Sequence, residues 1–206
     1  VLAHCVHLDQ REIGLIAKTS ASVAHNPMSN MLNAVGVASL MEMVDQGVNV
    51  GLGNDGYVFD MFENMRAAFL LQRVSRRDPN RPTPQEAVEM CTVNAARAYG
   101  LSSLGSIEVG RRADIIVARP RFRATPYSGS IYGYIVSSLR GPDVRDVVVD
   151  GQMVMKNGKL LTLDVQKAEA KVLKAMGRLW NRLGPSPPES VEPLGLGPHG
   201  KSTKGS

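Results

Sequence analysis

The sequence predicts an α/β fold that passes into an antiparallel β segment. Three observations carry this expectation. Between Val1 and about Arg77, a short apolar run, a polar residue and an amphipathic helical stretch recur in that order. Beyond Gly100 the texture changes to β-branched runs broken by "DG" and "NG", which are hairpin signals. At 206 residues with 43% hydrophobic content, the chain has enough apolar surface for a packed core.

In chain order, "VLAHC" reads as a strand before a helix over Asp9–Lys18, where Ile13, Ile16 and Ala17 recur at helical spacing. "SVAHNP" is a strand before a helix over Ala34–Gln46, and "VNVGLGND" a strand before a helix over Asp60–Val74. Strand and helix alternating at this pitch mean parallel strands, because parallel neighbours need a crossover connection. The polar residues His4, His25 and Asp55 then fall at C-terminal strand ends, the face where α/β sheets and barrels bind ligands. A helix over Pro84–Tyr99 follows, capped by Thr83, begun by Pro84 and ended by Gly100. "SIEVGRRADIIVARP" and "VRDVVVDGQMVMKNGKLLTLD" read as antiparallel strands. Val165–Leu183 reads as a closing helix with one apolar face, and Gly184–Ser206, rich in Pro, Gly and Ser, as a disordered tail.

The formal charge of +5 comes from scattered Lys and Arg, with Lys201 and Lys204 in the tail, so no basic patch points to nucleic acid. Cys5 and Cys91 lie far apart without CxxC spacing, against both a disulfide framework and a cysteine zinc site, and a reducing cytoplasm fits. No apolar run approaches the ~20 residues of a membrane helix. The chain opens on Val1, and "VLAHCVHL" reads like the middle of a structural unit, so the expectation is the back part of a longer protein.

The motifs "AHCVHL", "HNPMSNMLNAVG", "GLGNDG", "DMFENMRAAFLLQR", "CTVNAARAYGL" and "GSIEVGRRADIIV" occur in this order. Across Val1–Gly158 they resemble the amidohydrolase superfamily, in its aminohydrolase and chlorohydrolase branch, near SsnA-type aminohydrolases and methylthioadenosine/S-adenosylhomocysteine deaminases. The resemblance implies the C-terminal part of a (β/α)8 TIM-like barrel plus part of a small β-sandwich. Residues 1–104 would carry strands six to eight with their helices, 105–163 a sandwich segment, 164–183 the closing helix and 184–206 the tail. It further implies a divalent metal, zinc first with iron as the alternative, a small heterocyclic substrate, and a homo-oligomer for the whole protein. Neither nucleic acid nor membrane is implied as a partner. The family's first-strand HxH, and its fifth-strand His with a Glu three residues on, are absent from this sequence.

Each singled-out residue has a plainer reading. Asp55 could simply cap the next helix; the resemblance makes it a metal ligand and the acceptor of the attacking water's proton, and the flanking Gly51, Gly53 and Gly56 would allow the close backbone approach that the carboxylate needs. His4 could be a strand-end histidine with a structural hydrogen bond; the resemblance makes it the group that polarises the substrate and stabilises the tetrahedral intermediate. His7 and Asn30 are candidate substrate contacts, His7 in a loop near the entrance and Asn30 with a competing role in ordering its loop beside His25 and Asn26. Asp60 and Glu63 are expected to cap a helix, and Asp114 to be structural. A zinc-type ion lowers the pKa of water toward ~7, so the function implied is hydrolysis of a C–N bond in a purine-, pyrimidine- or triazine-like ring. The competing reading is a non-catalytic βα scaffold without the metal-binding half.

Overall fold

A computed structural model describes residues 1–56, 58–119 and 128–184. The chain divides into two compact units, Val1–Thr162 and Leu163–Ser206. Residues 185–206, read above as a disordered tail, lie outside the described residues.

The first unit opens with three βα steps. Strand β1 (Leu2–Ala3) leads to α1 (Gln10–Lys18), β2 (Ser22–His25) to α2 (Pro27–Leu32) and α3 (Leu40–Asp45), and β3 (Asn49–Leu52) to α4 (Met61–Arg76). The strands form a parallel sheet in the order β1-β2-β3, with Leu2 opposite Val23 and Val23 opposite Val50. Asp9 caps α1 in a capping box with Glu12, so two otherwise unpaired backbone donors are met at that helix start. The apolar residues of the periodic stretches meet in one core containing Ile13, Val23, Leu40, Met41, Met43, Val50 and Met65. Phe62, Met65 and Ala68 of α4 are buried in it.

Two expected helices are altered. The helix expected over Ala34–Gln46 is shortened to α3, preceded by an irregular stretch, while the separate α2 forms directly after β2. Ala34 and Gly36 take positive φ values of 50° and 113°, which end the helical path, and the short α3 keeps the buried Leu40, Met41 and Met43 on the core. The helix expected over Pro84–Tyr99 divides at Thr92 (φ −124°, ψ −97°) into α5 (Pro84–Cys91) and α6 (Val93–Ala98). Its start is as read, with Thr83 and Glu86 forming a capping box. The break turns α6 onto β3, where Asn94 Nδ2 donates to the Val50 carbonyl and Asn49 Nδ2 to that of Asn94.

Among the described residues of the run beginning "SIEVG", only Ile115–Ala118 forms a strand, β4. No element is expected where helix α7 (Ile131–Ser138) forms; its Tyr, Ile and Val have strand propensity, and Val136 is buried. The hairpins hold: β4, β5 (Val144–Val149), β6 (Gln152–Lys156) and β7 (Lys159–Leu160) pair antiparallel in that order. Both turns carry positive φ at both centres, Asp150–Gly151 and Asn157–Gly158, as two-residue hairpins require. Asp114 is structural, its carboxylate accepting from the Asp150 amide at 2.7 Å. Asp60 caps α4 through the Phe62 amide and also accepts from the Gly141 amide at 2.7 Å. Glu63 pairs with Arg66 and Arg140.

In the second unit, α8 (Val165–Leu183) has the expected bounds, begun by the Asp164 cap. Its apolar stripe, including Val172, Met176, Leu179 and Trp180, is exposed. Among the described residues no helix is long and apolar enough to cross a membrane.

Asp146 yields a pH-dependent prediction. Its carboxylate accepts from the Asn157 amide and from Arg145, and these bonds hold its carboxyl below the ordinary range. A folded-state value below the unfolded one means stability present above the unfolded pKa and lost as pH falls through the folded one. The melting-temperature gap between the unaltered chain and Asp146→Asn is therefore expected at pH 7 and should shrink below about pH 4. A gap constant down to pH 3 would contradict the assignment.

Candidate active site

Parallel pairing brings the ends of β1, β2 and β3 to one edge of the sheet. His4 follows β1 directly, its amide donating to the Ala24 carbonyl at 2.9 Å. His25 is the last residue of β2, and Asp55 stands three residues past β3. His4, Cys5 and Asp55 all take positive φ (65°, 51° and 52°), a conformation uncommon for residues with a side chain. Held conformations of this kind gather at functional sites.

The four sequence-selected residues His4, His7, Asn30 and Asp55 line one open cleft of about 440 Å³ with Val6, Ser29, Asn33 and Val35. His4 Nε2 lies 3.6 Å from Asp55 Oδ2, and both side chains are less than half exposed. Ser29 Oγ donates to Asp55 Oδ2 at 2.8 Å and the Gly56 amide to Oδ1 at 2.8 Å. The Ser29 bond, the Gly56 bond and the nearby His4 hold the Asp55 carboxyl below its ordinary range against partial desolvation, so it is ionised at neutral pH. His4 Nδ1 bonds Asn30 Oδ1 at 2.8 Å. An amide oxygen only accepts, so Nδ1 carries the proton and Nε2 faces Asp55.

His25 is 1% exposed, and its ring nitrogens have no hydrogen-bond partner among the described residues. Burial first, and the neighbouring His4 second, lower its pKa to about 4, so it is a neutral ring. Ser29 was not singled out in the sequence; its only signal is its place beside Asn30 on a short helix begun by proline.

The glycines of "VGLGNDG" have separate reasons. A Cβ on Gly51 would lie 3.1 Å from the Ala95 Cα, so this glycine admits α6 against β3. A Cβ on Gly53 would lie 2.3 Å from Asn26 Oδ1, so this one makes room for the residue that precedes α2. Neither serves the approach of the carboxylate to a ligand, the purpose the sequence suggested; Gly56, through its amide, is the glycine that touches Asp55.

The donor set can be tested against a divalent cation. An ionised carboxylate is the form a metal ligand must take. Among the described residues, however, no group of three or more His, Cys, Asp or Glu could hold a metal ion. Asp55 fits as one ligand, and the described residues alone do not complete a site.

Residues 1–154 match the model of the amidohydrolase family. This chain belongs to that family. It is 36% identical over 188 residues to a 5-methylthioadenosine/S-adenosylhomocysteine deaminase of Halalkalibacterium halodurans, covering 89% of this chain and 43% of that protein. It is 39% identical over 176 residues to a 5'-deoxyadenosine deaminase of Methanopyrus kandleri, covering 81% and 40%. Among solved structures, an adenosine deaminase from Xanthomonas campestris with bound zinc matches at a TM-score of 0.81 and 26% identity, over 86% of this chain and 42% of that one. The described residues thus share the TIM-barrel-type α/β fold of the family, and the chain spans about two fifths of the length of the curated relatives it matches.

Two outcomes are expected. Gly53→Ala should destabilise by about 1–3 kcal/mol through displacement of Asn26, while Gly56→Ala, whose Cβ would meet nothing within 4 Å, should stay within about 0.5 kcal/mol; denaturant midpoints measure both. The 206-residue chain by itself should retain zinc only substoichiometrically through gel filtration, because zinc sites take three or more protein ligands. Stoichiometric retention measured by elemental analysis would overturn this.

Proposed function

We propose that the whole protein is a metal-dependent aminohydrolase that replaces an exocyclic amino group of a purine-like ring with oxygen, and that this chain supplies the His4–Asp55 side of its site. The observation that carries the reading is that pair itself, an imidazole nitrogen 3.6 Å from an ionised carboxylate in a cleft at the ends of parallel strands. The nucleoside deaminases among the relatives support the substrate class. On this reading β1, β2 and β3 are the sixth to eighth strands of a (β/α)8 barrel, and β4–β7 are part of a small sandwich. Free Cys5 and Cys91 suit a reducing cytoplasm.

A zinc ion, with Asp55 as one ligand and the others from outside this chain, would activate water at neutral pH. Asp55 orients the attacking water and takes up its proton. In the tautomer set by Asn30, His4 Nε2 holds a lone pair toward the same carboxylate. The proton that Asp55 takes from the water passes to this lone pair, and the Nε2–H of the resulting imidazolium is then the donor for the oxygen added to the ring carbon. The C–O bond forms first, making the ring carbon tetrahedral, and the C–N bond then breaks, ammonia leaving with a proton from a group that this chain does not contain. His7, at the rim of the cleft, would contact substrate.

In the whole protein, Asp55→Asn should abolish nearly all ammonia release from an adenosine-type nucleoside while the fold survives, since the amide keeps the shape but not the charge. His4→Asn should lower kcat by roughly 10²–10³, as for one lost oxyanion donor, with metal content unchanged. Coupled ammonia assays and elemental analysis decide. Equal metal loss in both variants would move His4 into the ligand set, and full activity in both would remove the reading.

A further inference from the structure

Two adjacent side chains of α2 each hold one member of the His4–Asp55 pair. Ser29 Oγ donates to Asp55 Oδ2, and His4 Nδ1 donates to Asn30 Oδ1, each at 2.8 Å. Both are buried, Ser29 at 5% and Asn30 at 2% exposed. Successive helical residues diverge by about 100°, so neighbours on one turn reach groups on two different strand ends. The turn is itself anchored. Pro27 begins it, the Asn30 amide donates to the Asn26 carbonyl at 3.0 Å, and the Asn26 side chain occupies the space over Gly53.

We propose that Ser29 and Asn30 are positioning residues: Asn30 fixes His4 as its Nδ1–H tautomer, and Ser29 fixes the Asp55 rotamer that turns Oδ2 toward His4 Nε2. The proposal rests on the pair's role given under Proposed function. Asn30 then acts on substrate through His4, since its own side chain is almost wholly covered. Without an acceptor at Nδ1 the neutral ring is free to carry its proton on Nε2, where it blocks the lone pair that faces the carboxylate. Without the Ser29 hydroxyl, Oδ2 loses the bond that sets its direction, and the Gly56 amide holds only Oδ1.

The test has one arm without catalysis. In nitrogen-15 spectra of the ring nitrogens of the 206-residue chain, His4 should appear with Nδ1 protonated. Asn30→Leu should move it toward the Nε2–H form, and Asn30→Asp, which keeps an acceptor, should not; unchanged His25 signals report an intact fold. Should Asn30→Leu fail to fold, the smaller Asn30→Ala serves the same comparison. In the whole protein, Ser29→Ala and Asn30→Leu should each lower kcat roughly 10- to 100-fold at unchanged KM and metal content, with Ser29→Thr and Asn30→Asp recovering most of the loss. A His4 tautomer indifferent to Asn30, or a raised KM at constant kcat, would overturn the proposal. If the tautomer responds but His4→Asn and Asp55→Asn stay fully active, the positioning holds and the catalytic reading falls; if those two are inactive while the α2 variants behave as the unaltered enzyme, the positioning alone falls.

Discussion

Because β1, β2 and β3 pair in parallel, with Ala3 opposite Ala24 and Ala24 opposite Gly51, their C-terminal ends leave the sheet along one edge, and each polar residue at a strand end is delivered to the same place. Parallel pairing obliges every connection to cross back over the sheet, which is why α1, α3 and α4 line the core with Ile13, Met41 and Met65 while the loops at the other end are left for chemistry. The short strands leave little of the ladder to hold this geometry, so side chains supplement it. Asn49 and Asn94 tie β3 to α6, and the Asp60 carboxylate ties α4 to Gly141.

Close packing extends this constraint to the loops. Gly51 and Gly53 lie on consecutive same-face positions of the third βα step, and each is small because something else must occupy its side-chain space, α6 in one case and Asn26 in the other. Through Asn26 the path leads to α2, and through α2 to Ser29 and Asn30. A backbone contact from the residue after β3 to the last residue of β2, the Gly53 amide to the His25 carbonyl at 2.9 Å, lies at the centre of this arrangement. Scaffold and site therefore share residues.

The electrostatics divide the three strand-end groups by environment. Asp55, partly exposed and met by two donors, is kept charged, whereas His25, buried with no partner for its ring among the described residues, is kept neutral. Uncompensated burial of a polar ring is costly. His4 is bonded by Asn30 at one nitrogen and faces the carboxylate with the other. One charged acid, one oriented imidazole and one neutral buried imidazole are thus set within three βα steps by burial and hydrogen bonding.

Local pattern was enough for the sequence to determine where apolar runs give strands, where Asp9, Thr83 and Asp164 start helices, where "DG" and "NG" turn hairpins, and that His4 and Asp55 stand at strand ends. These features are legible because caps, turns and periodicity act over a few residues. Tertiary structure decided the rest. It shortened the helix expected over Ala34–Gln46, broke the one expected over Pro84–Tyr99, made α7 a helix against its β propensity, reassigned Gly51 and Gly53 from ligand approach to packing, and brought Ser29 to Asp55 across 26 residues of chain. Each depends on a neighbour far away in sequence, and a contact between distant residues leaves no periodic or local trace in the chain that makes it.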